Sequence, residues 1–167
     1  NMLKEALIIS KWAKNIFVKI PVVNSEGKSS EKVIKELAKN GVNLNITAIF
    51  TKKQLDIVKK SILKETKVIV SIFCGRIADT GRDPVDYVNY ARKIFKNYKN
   101  VQILWASPRE VLNIFHAENS GCDIITITED LFRKLDNLNK NLTQFSIDTV
   151  KMFVNDAKKS NLKIYDN

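Results

Sequence analysis

The sequence predicts an α/β chain of successive strand–helix units, with a parallel sheet covered by helices. Two observations carry this expectation. Short β-branched runs alternate with amphipathic stretches of 10–15 residues, which is the pattern of βα units. The runs are also apolar at most positions, as expected of parallel strands covered on both faces. A third observation separates the two ways of arranging such units. A doubly wound dinucleotide-binding sheet wants a glycine-rich turn after its first strand, and Pro21-Val22-Val23-Asn24 is not one. Gly27-Lys28-Ser29 has the ending of a phosphate loop, but the glycine required five residues earlier is Val22. The (β/α)8 TIM barrel is the reading left, although five strands do not close an eight-stranded barrel.

The elements follow in order. Strands are predicted at Ile16–Ile20, Leu44–Ile49, Val68–Ile72, Val101–Trp105 and Asp123–Ile127. Helices are predicted near 2–13, 30–40, 52–63, 84–97, 108–119, 129–138 and 143–159. Thr51 with Gln54 and Ser107 with Glu110 fit the capping box, in which a hydroxyl and an N3 side chain satisfy free backbone N–H groups reciprocally. Asp83-Pro84 and Ser107-Pro108 place a cap before a proline at the first helical position. Gly41, Gly75, Gly81 and Gly121 fall at or beside loops. No Pro/Ser/Gly linker divides the chain, so residues 1–167 read as a single domain with a C-terminal helical region at about 140–160.

Composition removes several classes of function. The chain is 167 residues long, 44% hydrophobic and 28% charged, which suits an apolar core and excludes a disordered chain. No apolar run approaches the roughly 20 residues that span a bilayer. The opening Asn1-Met2-Leu3-Lys4-Glu5 is not patterned as a signal peptide. Cys74 and Cys122 sit in apolar stretches without framework or metal spacing, so a reducing, cytoplasmic location is expected. The 28 Lys and Arg against 18 Asp and Glu give +10, which favours an anionic partner. The lysines fall largely on helix surfaces, however, with no aromatics interleaved and no recognition-helix spacing, so nucleic acid is not expected.

In a barrel the chemistry sits at the strand C-termini and the loops after them, and the polar residues there are few. Lys19 lies inside Ile16-Phe17-Val18-Lys19-Ile20. In a strand buried on both faces its ammonium must be paired or lose its proton. Having lost its proton, the amine would be nucleophilic. The alternative is a lysine that snorkels from a strand end to water. Asn45 and Thr47 are two apart and share a strand face, either lining a polar interior or satisfying each other. Ser71 lies near the end of the third strand, ahead of Phe73-Cys74-Gly75-Arg76. Arg76, Ser107 and Arg109 form a possible anion site of guanidinium donors beside a helix N-terminus, with Ser107 as a plain N-cap the alternative. Asp79 orients Arg76 or its loop, or is simply a solvated carboxylate. His116, the single histidine, is read as structural.

Val18-Lys19-Ile20-Pro21, Leu44-Asn45-Ile46-Thr47, Ser71-Ile72-Phe73-Cys74-Gly75-Arg76 and Ala106-Ser107-Pro108-Arg109 stand in the order and approximate spacing of the transaldolase family. The chain most resembles its short transaldolase and fructose-6-phosphate aldolase branch, over about residues 1–140. The resemblance implies a class I aldolase-type (β/α)8 TIM barrel, with about five of the eight βα units in this chain (strands four to eight). It implies Lys19 as the Schiff-base residue, Asn45 and Thr47 around the imine, the threonine holding a catalytic water, and Ser71 contacting substrate. Arg76, Ser107 and Arg109 would bind phosphate. Phe73 stands where the aldolase branch carries tyrosine, which favours transfer of a dihydroxyacetone unit over simple cleavage. A fructose-6-phosphate-type aldolase and a non-catalytic sugar-phosphate binding module are the alternatives. The partners implied are sugar phosphates, in the pentose phosphate pathway, with a homo-oligomer as a weak hint. No metal or other cofactor is expected. The aspartate of the family's first strand and the acidic or amide residue of its third have no counterpart here.

Overall fold

Strand order along the sheet is strand order along the chain. β1 (Val18–Pro21), β2 (Leu44–Ile49), β3 (Val68–Ile72), β4 (Val101–Trp105) and β5 (Ile124–Ile125) lie side by side, each parallel to its neighbour. This is a computed structural model, and it describes residues 1–160. A doubly wound sheet reverses direction at a switch point, whereas this one advances one way throughout. Right-handed crossovers then put the connecting helices on one face. These are α2 (Glu31–Lys39), α3 (Lys52–Ser61), α4 (Cys74–Ala78), α5 (Val85–Phe95) and α6 (Leu112–Asn119), with α1 (Met2–Ile9) preceding β1. In sequence of packing, α1 meets α2, α2 meets α3 and α3 meets α5. Five parallel strands alternating with helices in this order make part of a TIM barrel.

The two sheet faces differ sharply. Ile20, Ile46, Val70, Ile72, Ile103 and Trp105 face the helices and are at most 2% exposed. Lys19, Asn45, Ile69 and Gln102 are register partners across β1 to β4 and occupy the other face, where Lys19 and Gln102 are exposed. Burial of every strand on both faces is therefore corrected in part: on this second face Thr47, Ser71 and Leu104, toward the strand C-termini, are buried, while Lys19 and Gln102 are open to water. Lys19 is exposed in this chain, so strand position alone does not desolvate its ammonium.

The central strands β2, β3 and β4 have the predicted bounds, and the outer two do not. β1 starts at Val18 because residues 13–16 turn, with Ile16 N–H donating to the Ala13 carbonyl at 3.3 Å. It runs through Pro21, whose missing N–H an edge strand tolerates. β5 is two residues long. The Asp123 carboxylate accepts the Ile103 N–H at 2.7 Å, occupying a donor that a longer ladder would use. α1 ends at Ile9, where Ser10 Oγ donates to the Leu7 carbonyl at 2.9 Å. The helix predicted over 129–138 is α7 (Glu129–Arg133) followed by a 3₁₀ turn over Lys134–Asn137.

The capping box at α3 is present. Gln54 N–H donates to Thr51 Oγ1 at 3.1 Å, and the Gln54 side chain accepts the Thr51 N–H at 3.0 Å. At α5, Asp83 Oδ1 accepts the Val85 N–H at 2.9 Å, so the helix starts one residue after Pro84.

The chain divides into two compact units, Asn1–Leu131 and the part from Phe132 onward. The second contains α8 (Leu142–Ser160), whose first turn is capped by Asn141 Oδ1 accepting the Gln144 N–H at 3.0 Å. Residues 161–167, counted above within a single domain, lie outside the described residues. No helix among the described residues is long and apolar enough to cross a membrane.

Candidate active site

Strand register builds the first half of the site. Lys19 and Asn45 are direct partners across β1 and β2, so their side chains leave the same face of a parallel pair. Ser71 Oγ, one strand further on, donates to Asn45 Oδ1 at 2.7 Å. That bond fixes the Asn45 amide beside Lys19 and leaves its NH₂ group as the donor end. Thr47 partners Pro21 and follows Asn45 on this face. Its Oγ1 is buried without a hydrogen-bond partner among the described residues. Asn45 therefore bonds Ser71 and not Thr47, so the mutually satisfied Asn45–Thr47 pair is not what forms.

A bulge in β2 keeps Thr47 in place. Between Ile46 and Ile49 the strand carries one residue more than β3 does opposite, and Ala48 takes the left-handed φ of 58°. The extra residue lets Thr47 stay beside Ser71 while Ile49 returns to the helix-covered face opposite Ile72. A left-handed alanine costs about 1–2 kcal/mol, and strain of this kind clusters at working sites.

The loops after β3 and β4 form the second half. α4, absent from the predicted elements, begins directly after Phe73 and is too short to show a helical period. Within it Gly75 N–H donates to the Ala106 carbonyl at 3.3 Å. A Cβ on Gly75 would stand 1.5 Å from the Ser107 carbonyl oxygen, so only glycine lets the two loops approach this closely. Arg76, exposed on α4, lays its guanidinium over the Phe73 ring, 5.6 Å from the centroid. Phe73 in turn packs on Phe50, with centroids 5.5 Å apart.

Arg109, on the neighbouring loop, donates from Nη2 to Asp79 Oδ2 at 2.8 Å. Asp79 thus holds Arg109 and not Arg76, which corrects the Arg76 reading, while its carboxylate stays half exposed to water. Ser107 is not a helix cap either. Its backbone is left-handed at φ 59°, and α6 starts only at Leu112, five residues on. Asn113 does the capping: its Oδ1 accepts the Arg109 N–H at 2.8 Å and the Glu110 N–H at 3.2 Å. Two N–H groups of the turn before α6 are thereby used up, and any anion here depends more on the two guanidinium groups than on those donors.

The remaining candidates stand apart. Burial pushes the Cys74 thiol well above the ordinary thiol range and the Cys122 thiol up to about 11, so neither is a ready nucleophile near neutrality. His116 lies on α6 with its ring centroid 6.2 Å from that of Trp105, on the helix side of the sheet. Among the described residues no three His, Cys, Asp or Glu side chains gather as metal ligands. A cavity of about 430 Å³ lined by Leu7, Lys11, Lys14 and Asn43 opens at the N-terminal ends of the strands, opposite the end where barrel sites form.

Two contributors escaped sequence reasoning. Asn113 looks like any helix asparagine until the turn at 107–111 folds back on it. Gly75 reads as a loop glycine, and its function is space at a contact with a segment some 30 residues away.

The chain matches the transaldolase/fructose-6-phosphate aldolase family over residues 1–165. It is 33% identical over 162 residues to a probable transaldolase of Leptospira biflexa serovar Patoc, covering 96% of this chain and 70% of that protein. It is 35% identical over 136 residues to probable transaldolase 2 of Listeria monocytogenes, covering 81% of this chain and 59% of that one. A probable transaldolase of Methanococcus maripaludis is 32% identical over 138 residues, covering 82% and 60%. This chain thus spans between 59% and 70% of the length of these relatives. With the barrel strand order, and a match that runs nearly end to end, the chain belongs to the transaldolase/fructose-6-phosphate aldolase family.

Proposed function

We propose that this chain supplies the imine-forming part of a transaldolase, in which Lys19 transfers a three-carbon dihydroxyacetone unit between sugar phosphates. The observation that supports it most is the register of Lys19 beside Asn45, with Asn45 bonded to Ser71 on the same sheet face. The neutral Lys19 amine attacks the C2 carbonyl of a ketose phosphate, and the carbinolamine loses water to leave a protonated imine. As the C3–C4 bond breaks, its electron pair moves into the imine to form an enamine, and the C4 hydroxyl gives up its proton as the aldose leaves. The enamine then attacks the aldehyde of a second aldose phosphate, whose oxygen takes up a proton. Water hydrolyses the new imine and frees Lys19.

The other side chains fit this sequence. The Asn45 amide reaches the substrate hydroxyls or imine beside Lys19, and Ser71 both fixes Asn45 and faces the substrate. The unpartnered Thr47 hydroxyl suits a water used in imine formation and hydrolysis, since a buried hydroxyl left unpaired costs about 1–3 kcal/mol. Arg76, Ser107 and Arg109 take the phosphate at the strand C-terminal end. No carboxylate occupies the Lys19 face of the described strands, so the group that moves the C4 proton is expected from the portion of the relatives this chain does not span. The protein is accordingly read as a cytoplasmic enzyme of sugar-phosphate metabolism.

The test is borohydride reduction of the protein, in its longest natural form, with fructose 6-phosphate, followed by peptide mass spectrometry. A dihydroxyacetone-derived adduct on Lys19 is expected. A folded protein that yields no adduct there would overturn the imine reading and favour a sugar-phosphate binding module.

Choice between transfer and cleavage turns on Phe73. Its ring has no hydroxyl to hold a water that protonates the enamine, so release of free dihydroxyacetone is disfavoured. Phe73→Tyr should raise cleavage relative to transfer by on the order of 100-fold, the low end of what a positioned proton donor contributes. Product ratios with and without an acceptor aldose measure this, and an unchanged ratio would count against it.

A further inference from the structure

We infer that Asp79 is a positioning residue for substrate phosphate, acting through Arg109. The inference rests on the proposed phosphate site and assigns a role to a carboxylate within it. Arg109 is held at both ends. Asn113 accepts its backbone N–H at 2.8 Å, and Asp79 accepts its Nη2 at 2.8 Å from across the two loops. Asp79 is itself anchored where α4 ends, its N–H donating to the Gly75 carbonyl at 3.0 Å. Gly75 is the residue that locks α4 against the loop carrying Arg109. The chain from carboxylate to guanidinium therefore has a rigid base and one defined geometry.

The pair contributes little to stability, because both side chains are about half exposed, at 51% and 50%, and ion pairs of this kind are screened. Its value lies in ordering. Arginine loses much rotamer freedom when it clamps a phosphate, and a guanidinium already held in place loses less on binding. One contact with Asp79 leaves the other guanidinium N–H groups for the phosphate oxygens. Arg76 has a different support, the Phe73 ring, so the two arginines are oriented independently.

The sign of the effect separates positioning from simple electrostatics. Removing a negative charge beside an anion site should tighten phosphate binding if charge alone mattered. Positioning requires the opposite. Asp79→Asn should weaken fructose 6-phosphate binding by about 3- to 10-fold, measured by calorimetry, with the thermal midpoint nearly unchanged. Dihydroxyacetone, which carries no phosphate, should label Lys19 under borohydride at the wild-type rate. Asp79→Glu should recover part of the affinity. Tighter or unchanged binding in Asp79→Asn would overturn the inference, as would an equal loss for the unphosphorylated ketone. If the wild type binds fructose 6-phosphate but never labels Lys19, the imine reading fails while the affinity ratio still decides the role of Asp79. If the wild type does not bind fructose 6-phosphate, the phosphate site and this inference fall together.

Discussion

Lys19→Arg should lower the transfer rate by on the order of 10⁴-fold or more, the scale on which a covalent nucleophile is lost. The substitution keeps the positive charge and roughly the reach of the side chain. It removes the one property the mechanism needs, an amine that can shed its proton and carry a carbonyl carbon, since a guanidinium stays protonated throughout the accessible range. Without the imine there is no electron sink, and the C3–C4 bond has no low-energy route to break. In this chain, where Lys19 is exposed on an edge strand, stability should move by no more than about 0.5 kcal/mol, as for other exposed substitutions. A steady-state transfer assay with a denaturant melt separates the two effects. Retention of more than a tenth of the rate would remove Lys19 from the mechanism.

Gly75→Ala is expected to have the largest effect on folding. Helix propensity alone favours alanine by about 1 kcal/mol, and α4 would be steadier for it. Packing opposes this more strongly. The new Cβ would lie 1.5 Å from the Ser107 carbonyl oxygen, 2.6 Å from its carbon and 3.3 Å from the Pro108 nitrogen. All three are backbone atoms, so no rotamer change makes room. The 106–108 turn must move away, which breaks the Gly75 bond to Ala106 and shifts the loop carrying Arg109 relative to α4. A loss of about 3 kcal/mol is expected, at the upper end for overpacked sites, with fructose 6-phosphate binding lost in whatever protein folds. A midpoint of urea denaturation equal to the wild type would show that the two loops do not meet as described.

What was legible from the residues was mostly local. β2, β3 and β4 were bounded to the residue because an apolar run between turn signals is enough to mark a strand that has neighbours on both sides. The outer strands differ from the predicted bounds by one or two residues at each end, since an edge has one partner and gives way to turns or to a side chain such as Asp123. Thr51 and Gln54 form the predicted capping box because that motif closes within three residues. Ser107 and Glu110 have the same spacing and form none. The left-handed turn at Ser107 delays the helix to Leu112, and Asn113 satisfies the N–H groups instead.

By itself, the sequence determined the α/β class, the order of the elements, the residue types at the strand ends and the family they resemble. These depend on hydrophobic periods, caps and motifs spanning a few positions, so they survive without knowledge of the rest of the chain. Packing of distant segments sets which sheet face carries Lys19, that Asn45 bonds Ser71 and not Thr47, and that Asp79 holds Arg109. Those contacts join residues 26 and 30 positions apart. Strand register, the bulge at Ala48 and the clearance at Gly75 set them, and each is a property of two elements packed together that neither segment expresses alone.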